Sequence, residues 1–250
     1  MRFSVITVCY QAAATIRMTL ESVLAQEGVQ LEYIVIDGGS TDGTLAIVQE
    51  YAERITKIAS GADQGMYFAL NKGLSMATGD VVAILHADDF YTDGTVLAEV
   101  AKMMRHTQAD ALYGDLVYVS RQDHEQVLRF WKSGGYKRTA FRWGWMPPHP
   151  SFFLKLVNYR SFGGFRTEFS TAADYELMLR MLYKQHVKCV YLPRVLVKMR
   201  HGGKSNATIE NRLRANREDA QAWKVNNLTP YIFTLWLKPL RKLGQFFMKG

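Results

Sequence analysis

A chain of 250 residues with 48% hydrophobic content and no low-complexity run has the apolar material for a large core, which excludes a disordered or fibrous protein. Cys9 and Cys189 both lie in apolar runs that read as strands, so the expectation is buried free thiols, no disulfide and a reducing compartment. A formal net charge of +8 raises the question of nucleic acid, but half of it falls between Thr229 and Gly250 and no aromatic-plus-basic nucleic-acid module is visible.

The elements alternate from the start. Phe3 to Val8 reads as a first strand rather than a signal peptide, because it carries Ser4 and Thr7 and runs into Arg17 and Glu21 of a helical pattern. Further strands are predicted at Glu32 to Asp37, Thr56 to Ser60 and Val81 to Leu85, with helices at about Thr15 to Gln26, Thr44 to Arg54 and Tyr67 to Ala77. This is the sequence sign of an α/β fold with a mostly parallel sheet, in which ligands collect beyond the carboxyl ends of the strands. After about Asp110 the regular crossovers end. A Trp-rich stretch from Trp131 to Trp145 and the turn Pro147-Pro148-His149-Pro150 lead to a helix over Ala172 to Lys184. Strands around Val187 to Tyr191 and Val195 to Met199 follow, then a polar helix from about Asn206 to Val225.

In the tail, Lys238, Arg241, Lys242 and Lys249 are interleaved with Leu240, Leu243, Phe246 and Phe247, and there is no acidic residue from Thr229 onward. The apolar run Tyr231 to Leu237 falls well short of the roughly 20 residues that span a bilayer. The tail reads either as a helix lying on an anionic membrane surface or as one packed on its own protein.

Two constellations carry chemistry. His86-Ala87-Asp88-Asp89-Phe90 directly follows an apolar strand, where unpaired carboxylates are costly and a hard cation such as Mg²⁺ or Mn²⁺ would supply the missing partner. Neighbouring side chains at a strand end point to opposite sides, so Asp88 and Asp89 are expected to do different jobs. A solvated acidic turn is the plainer alternative. Downstream, Asp174 falls in the first turn of the Ala172 to Lys184 helix, where it suits the helix dipole and could be no more than a cap.

The run Val5-Ile6-Thr7-Val8-Cys9-Tyr10, then Tyr33-Ile34-Val35-Ile36-Asp37-Gly38-Gly39-Ser40-Thr41-Asp42-Gly43-Thr44, resembles glycosyltransferase family 2, whose fold is called GT-A. Asp63-Gln64-Gly65-Met66-Tyr67, Asn71-Lys72-Gly73, Ala77-Thr78-Gly79-Asp80 and the Asp88-Asp89 pair continue the match in the family's order. The resemblance is strongest to enzymes that build bacterial O-antigen and other surface polysaccharides. It implies a GT-A α/β domain over 1–205, with a nucleotide-sugar-binding half (1–109) and an acceptor half (110–205), and a helical extension over 206–250.

Carried over by position, Thr7, Val8 and Tyr10 would border the base pocket, Asp37 would bind the nucleobase or ribose, and Asp88 would touch the ribose or sugar. Asp89 would bind a divalent metal, Mn²⁺ or Mg²⁺, while Asp63, Asn71 and Lys72 would line the same pocket. Asp174 would be the general base, with Glu176 as an understudy, since Ala173 replaces the first acid of the family's pair. Gly38 likewise stands where relatives often carry a second carboxylate. His149 matches a histidine on the acceptor side, and the glycine-rich loop with His201 and Lys204 could close over the diphosphate.

The expected reaction is transfer of one sugar, with inversion, from a nucleotide-sugar donor to a glycan acceptor linked to polyprenyl diphosphate. The enzyme would rest on the inner face of the cell membrane without binding nucleic acid. The alternatives are transfer to a polyprenyl phosphate, or an inactive sugar-nucleotide-binding scaffold. A nicotinamide dehydrogenase would want a glycine-rich first turn that Tyr10 to Ala14 does not offer. The Gln-x-x-Arg-Trp element of processive synthases is also absent.

Overall fold

The computed structural model of the chain describes residues 1–202 and 209–237. Lys204 and the tail from Lys238 onward lie outside the described residues. The first half alternates as expected: β1 (Arg2–Cys9), α1 (Ile16–Leu24), β2 (Gln30–Asp37), α2 (Thr44–Gln49), β3 (Lys57–Ser60), α3 (Met66–Met76) and β4 (Val81–Ile84). Strand β1 pairs in parallel with β2 on one side and β4 on the other, and β3 adds to β2. Covered on both faces, β1, β2 and β4 are buried at nearly every position and mainly apolar, as a parallel sheet under two layers of helices requires. Alternate side chains feed two cores. Phe3, Val5, Tyr33 and Val35 meet α1 and α4 on one face, while Ile6, Val8, Ile34 and Ile36 meet α3 on the other. Helix α3 lies close on β1 because Gly73 faces Ile6: a Cβ there would sit 2.5 Å from the Ile6 Cγ2.

The second half comprises β5 (Asp89–Tyr91), α4 (Val96–Thr107), β6 (Ala111–Val119), β7 (Val127–Trp131), β8 (Phe152–Lys155), α5 (Leu156–Phe162), α6 (Ala173–Met178), β9 (Cys189–Arg200) and α7 (Ile209–Val225). The sheet runs β3, β2, β1, β4, β8, β6, β9, β5, with β7 on β6, and turns antiparallel at β8.

Three sequence expectations change. The two strands around Val187 to Tyr191 and Val195 to Met199 are one strand, β9, whose register with β6 shifts opposite Gly114. Pro193 has no N–H to give the ladder there, so the chain bulges instead of breaking. Helix α2 stops at Gln49 and continues as turns to Arg54. Helix α6 passes after Met178 into a π-helical stretch, Leu179–Lys184. Among the described residues no helix is long and apolar enough to cross a membrane.

Candidate active site

The carboxyl ends of β1, β2 and β4 open on one side of the sheet. Thr7 is buried, its hydroxyl 3.0 Å from that of Tyr33, and Val8 is buried beside it. Tyr10 stands out at the rim, 57% exposed. Its ring lies beside Gly38, where a Cβ would be in ordinary van der Waals contact with Tyr10 Cδ2 at 3.5 Å. Asp37 accepts from the Ser60 hydroxyl at 2.6 Å and from the N–H groups of Gly39 and Ser40 at 3.2 and 3.1 Å. Burial pushes its carboxyl up, but these donors outweigh burial and hold it below the ordinary carboxylate range. One oxygen of Asp63, Oδ2, is buried without a hydrogen-bond partner. Asn71 instead spends both ends of its amide on the backbone of Phe165, at 2.8 Å each, and ties α3 to the turn that follows α5; Lys72 is half-buried.

Beyond β4 the chain turns through Ala87 and Asp88 and enters β5 at Asp89, and the two aspartates differ in burial. The Asp88 side chain is 37% exposed, 3.9 Å from Arg121, while Asp89 is 1% exposed and neither of its carboxylate oxygens has a partner. Burial and the neighbouring Asp88 push the Asp89 carboxyl well above its ordinary value, with Arg200 opposing. A buried, unsatisfied carboxylate fits a cation. Among the described residues no cluster of three or more metal-ligating side chains exists, so a divalent ion here would draw on Asp89, water and phosphate, as Mg²⁺ commonly does.

Arg200, at the end of β9, was not anticipated from sequence. It donates to the Asp88 carbonyl at 2.9 Å and to His124 at 3.1 Å, with its guanidinium 5.0 Å over the Phe90 ring. With Arg121, His124 and Arg17 it lines a cleft of about 400 Å³ against the start of α1, a cationic wall beside the aspartates. The one signal for it is a charge closing an apolar strand run, which also marks many solvated strand ends.

Asp174 approaches from the other half of the chain. From Ala172 to Tyr183 every residue is buried except Asp174, which is half-buried. The backbone N–H groups of Ala173 and Asp174 face the Tyr67 hydroxyl of α3, and burial together with the Asp174 charge pushes that phenol up. His86 lies within the field of both Asp88 and Asp174. Burial and the adjacent His149 lower its imidazole to about 4, against the pull of those carboxylates. His149 is buried between His86 and Phe165, its ring centroid 5.6 and 5.8 Å from theirs, and burial brings it to about 4 too. His86 thus feels the charge of Asp88 and of Asp174, while Arg200 holds the Asp88 carbonyl.

Other predicted residues lie elsewhere. Glu176 is fully buried in an ion pair with Arg180. His201 is exposed, and its carbonyl accepts from Arg121 at 2.9 Å. Glu218 of α7 was also missed. It accepts from the backbone of Ser170, Thr171 and Ala172 at 3.1, 2.8 and 2.9 Å, and so fixes the start of α6.

A sequence model described as Glycosyl transferase family 2 matches residues 4–164. A PGL/p-HBAD biosynthesis glycosyltransferase of Mycobacterium bovis is 29% identical over 224 residues, 83% of this chain and 80% of the relative. Among solved structures, Staphylococcus aureus TarS 1-349 in complex with UDP-GlcNAc is similar at a TM-score of 0.65 and 18% identity, over 90% of this chain and 70% of that one. The chain spans 42% of a longer TarS chain. The mannosyltransferase PcManGT from Pyrobaculum calidifontis, in complex with GDP-Man and Mn²⁺, matches at a TM-score of 0.64 and 22% identity, over 95% of this chain and 72% of that one. A mixed α/β sheet with this strand order, acidic residues just beyond β4 and a family match over more than half the length make this chain a member of glycosyl transferase family 2.

Proposed function

We propose that the chain transfers a single sugar from a nucleotide-sugar donor to a glycan acceptor carried on polyprenyl diphosphate, in bacterial surface-polysaccharide synthesis. The observation that carries the reading is Asp174: in an otherwise buried stretch it alone is partly exposed, and its charge acts on the same imidazole, His86, as that of Asp88. Neighbours of this fold bind UDP-GlcNAc and GDP-Man, and one of them holds Mn²⁺. These likenesses support an activated-sugar donor and a divalent metal.

An acceptor hydroxyl is a weak nucleophile until a positioned base takes its proton. Asp174 takes that proton as the acceptor oxygen bonds to the anomeric carbon and the bond from that carbon to the diphosphate oxygen breaks. Displacement from the opposite face inverts the anomeric centre. Thr7, Val8, Tyr10 and Asp37 bound the nucleoside pocket at the ends of β1 and β2, with Asp63 and Lys72 near its edge. Asp89 would hold the cation, which would supply Lewis-acid neutralisation of the departing diphosphate, and Asp88 would touch the ribose or sugar. Arg200 and Arg121 add positive charge beside it. His149, between His86 and Phe165, would border the acceptor side. The basic tail after Leu237 would bring the protein to the inner face of the membrane, where a polyprenyl carrier resides.

The test is Asp174→Asn, scored for product formation against a panel of nucleotide sugars and for Mn²⁺-dependent thermal stabilisation by nucleotide. Transfer should fall by at least ~100-fold, the lower end of what a general base contributes, with nucleotide binding retained. Normal turnover in this variant would remove Asp174 from the chemistry.

A further inference from the structure

In the segment that follows α7, a threonine takes an inward position while apolar neighbours are exposed. Thr234 is buried: its hydroxyl donates to the Arg142 carbonyl at 2.6 Å and accepts from the Tyr231 N–H at 2.9 Å. On either side of it Ile232 is 96% exposed and Trp236 73% exposed. An aliphatic residue held out in water by a segment whose threonine is anchored inside is costly unless something covers it. The exposed ring of Trp143, in the short helix Arg138–Trp143, extends the patch, tilted against Phe233 at 5.0 Å and edge-on to Tyr231 at 6.2 Å between centroids.

Cations border these apolar groups. Arg142 lies 4.9 Å over the Tyr231 ring and 5.8 Å over Tyr183, and Arg138 lies 4.7 Å over Tyr183. Arg138 in turn comes within 3.0 Å of the His186 imidazole, and with Lys188 these residues line a cleft of about 320 Å³. The residues of this face lie in the described stretches 126–167, 177–202 and 220–237, which contain no aspartate or glutamate. The sequence beyond Leu237 adds four more cations among leucines and phenylalanines. Exposed indoles and an exposed isoleucine next to unopposed basic groups match the boundary of an anionic bilayer, where aromatic rings sit at headgroup depth and cations meet lipid phosphates.

We infer that this face of the folded body, formed by Trp143, Ile232, Phe233 and Trp236 with Arg138 and Lys188, docks on an anionic lipid bilayer, its aromatic groups entering the interface and its basic cleft taking lipid phosphate. The inference rests on the reading of a lipid-carried acceptor and adds to it a contact surface separate from the tail. A second copy of the chain would bury the apolar groups but would set two such basic faces against each other. RNA would suit the cations and leave Ile232 in water.

The test uses the full chain and sucrose-loaded vesicles of phosphatidylcholine with and without phosphatidylglycerol, in the absence of donor and acceptor. Binding to the phosphatidylglycerol vesicles should weaken as salt rises. It should fall ~10-fold or more in I232S/W236S and also in R138E/K188E, with unchanged melting temperatures, since the altered side chains are surface groups. Both variants keep the tail intact. Sedimentation equal to the parent would therefore mean that the tail alone binds, and would overturn the inference. So would self-association without vesicle binding, or affinity for a single-stranded RNA oligonucleotide without vesicle binding. Because no sugar transfer enters the assay, a negative result leaves the transferase reading standing, and a failed donor panel leaves vesicle binding untouched.

Discussion

Replacing Glu176 with glutamine separates a structural from a chemical role for the second carboxylate of α6. Arg180 donates through Nε to Oε1 and through Nη2 to Oε2, both at 2.9 Å, and Asn226 donates to Oε1 at 3.0 Å. Arg166 adds an ion pair at 3.3 Å. Both oxygens are therefore occupied in a site without solvent. Glutamine keeps the volume but turns an acceptor into an amide donor aimed at a buried guanidinium. Removing one partner of a buried ion pair costs about 3–5 kcal/mol. The low end applies here, because Arg180 still donates to the carbonyls of Gly163 and Gly164 at 2.8 and 2.6 Å. At about 2–4 °C per kcal/mol for a domain of this size, Glu176→Gln should melt roughly 6–12 °C below the parent. The assay is a thermal and urea melt of the purified chain, paired with turnover measured well below the transition. Turnover by the folded protein should stay within about threefold of the parent, since glutamine leaves Asp174 in place. An unchanged melting temperature with abolished transfer would refute the reasoning and make Glu176 the base.

Three further outcomes follow from single contacts. Gly73→Ala puts a Cβ 2.5 Å from Ile6 Cγ2 in a fully buried layer. Overpacking of this kind costs about 1–3 kcal/mol, and the urea midpoint should fall with little change in slope; an unchanged midpoint would mean α3 can shift freely on β1. His149 is held at about 4, below its ordinary 6.5, by burial. The unfolded chain takes up its proton first, so its contribution is complete above pH 6.5 and is lost as pH falls towards 4. That loss amounts to about 3 kcal/mol, and His149→Phe should flatten the stability profile of the metal-free protein in that window. Finally, Asp89→Asn should abolish thermal stabilisation by Mn²⁺ while lowering the metal-free melting temperature little, because the carboxyl it replaces is already held towards its neutral form. If Mn²⁺ still stabilises Asp89→Asn but not Asp88→Asn, the ion sits on the more exposed aspartate.

How far the sequence could be read depends on whether a residue's partner is near it in the chain. Strands β1, β2 and β4 declare themselves because parallel strands covered on both faces are mainly apolar, and two carboxylates just beyond such a strand need a local reason. Strand β6 hides: Gly114 and Asp115 interrupt its middle and look like a turn. Only the fold shows that Leu196 of β9 fills the space a Cβ at 114 would take, and that Asp115 is satisfied by the Ser133 N–H at 2.7 Å and the Tyr191 hydroxyl at 2.8 Å. Helix α4 carried its apolar spacing in Val96, Leu97, Val100, Ala101 and Met104, yet was overshadowed by the aspartates just before it. The same divide runs through the site. Asp174 was found through its register with a known pattern. Glu176, two residues on, follows an equally suggestive pattern, but Asn226 and Arg166 claim it from 50 residues downstream and 10 upstream. Glu218, which sets the start of α6, has no local signature at all. Asp174, proposed as the base, and Glu176, two residues on, differ in what the rest of the chain brings to them: Arg166, Arg180 and Asn226 enclose the glutamate and leave the aspartate partly exposed.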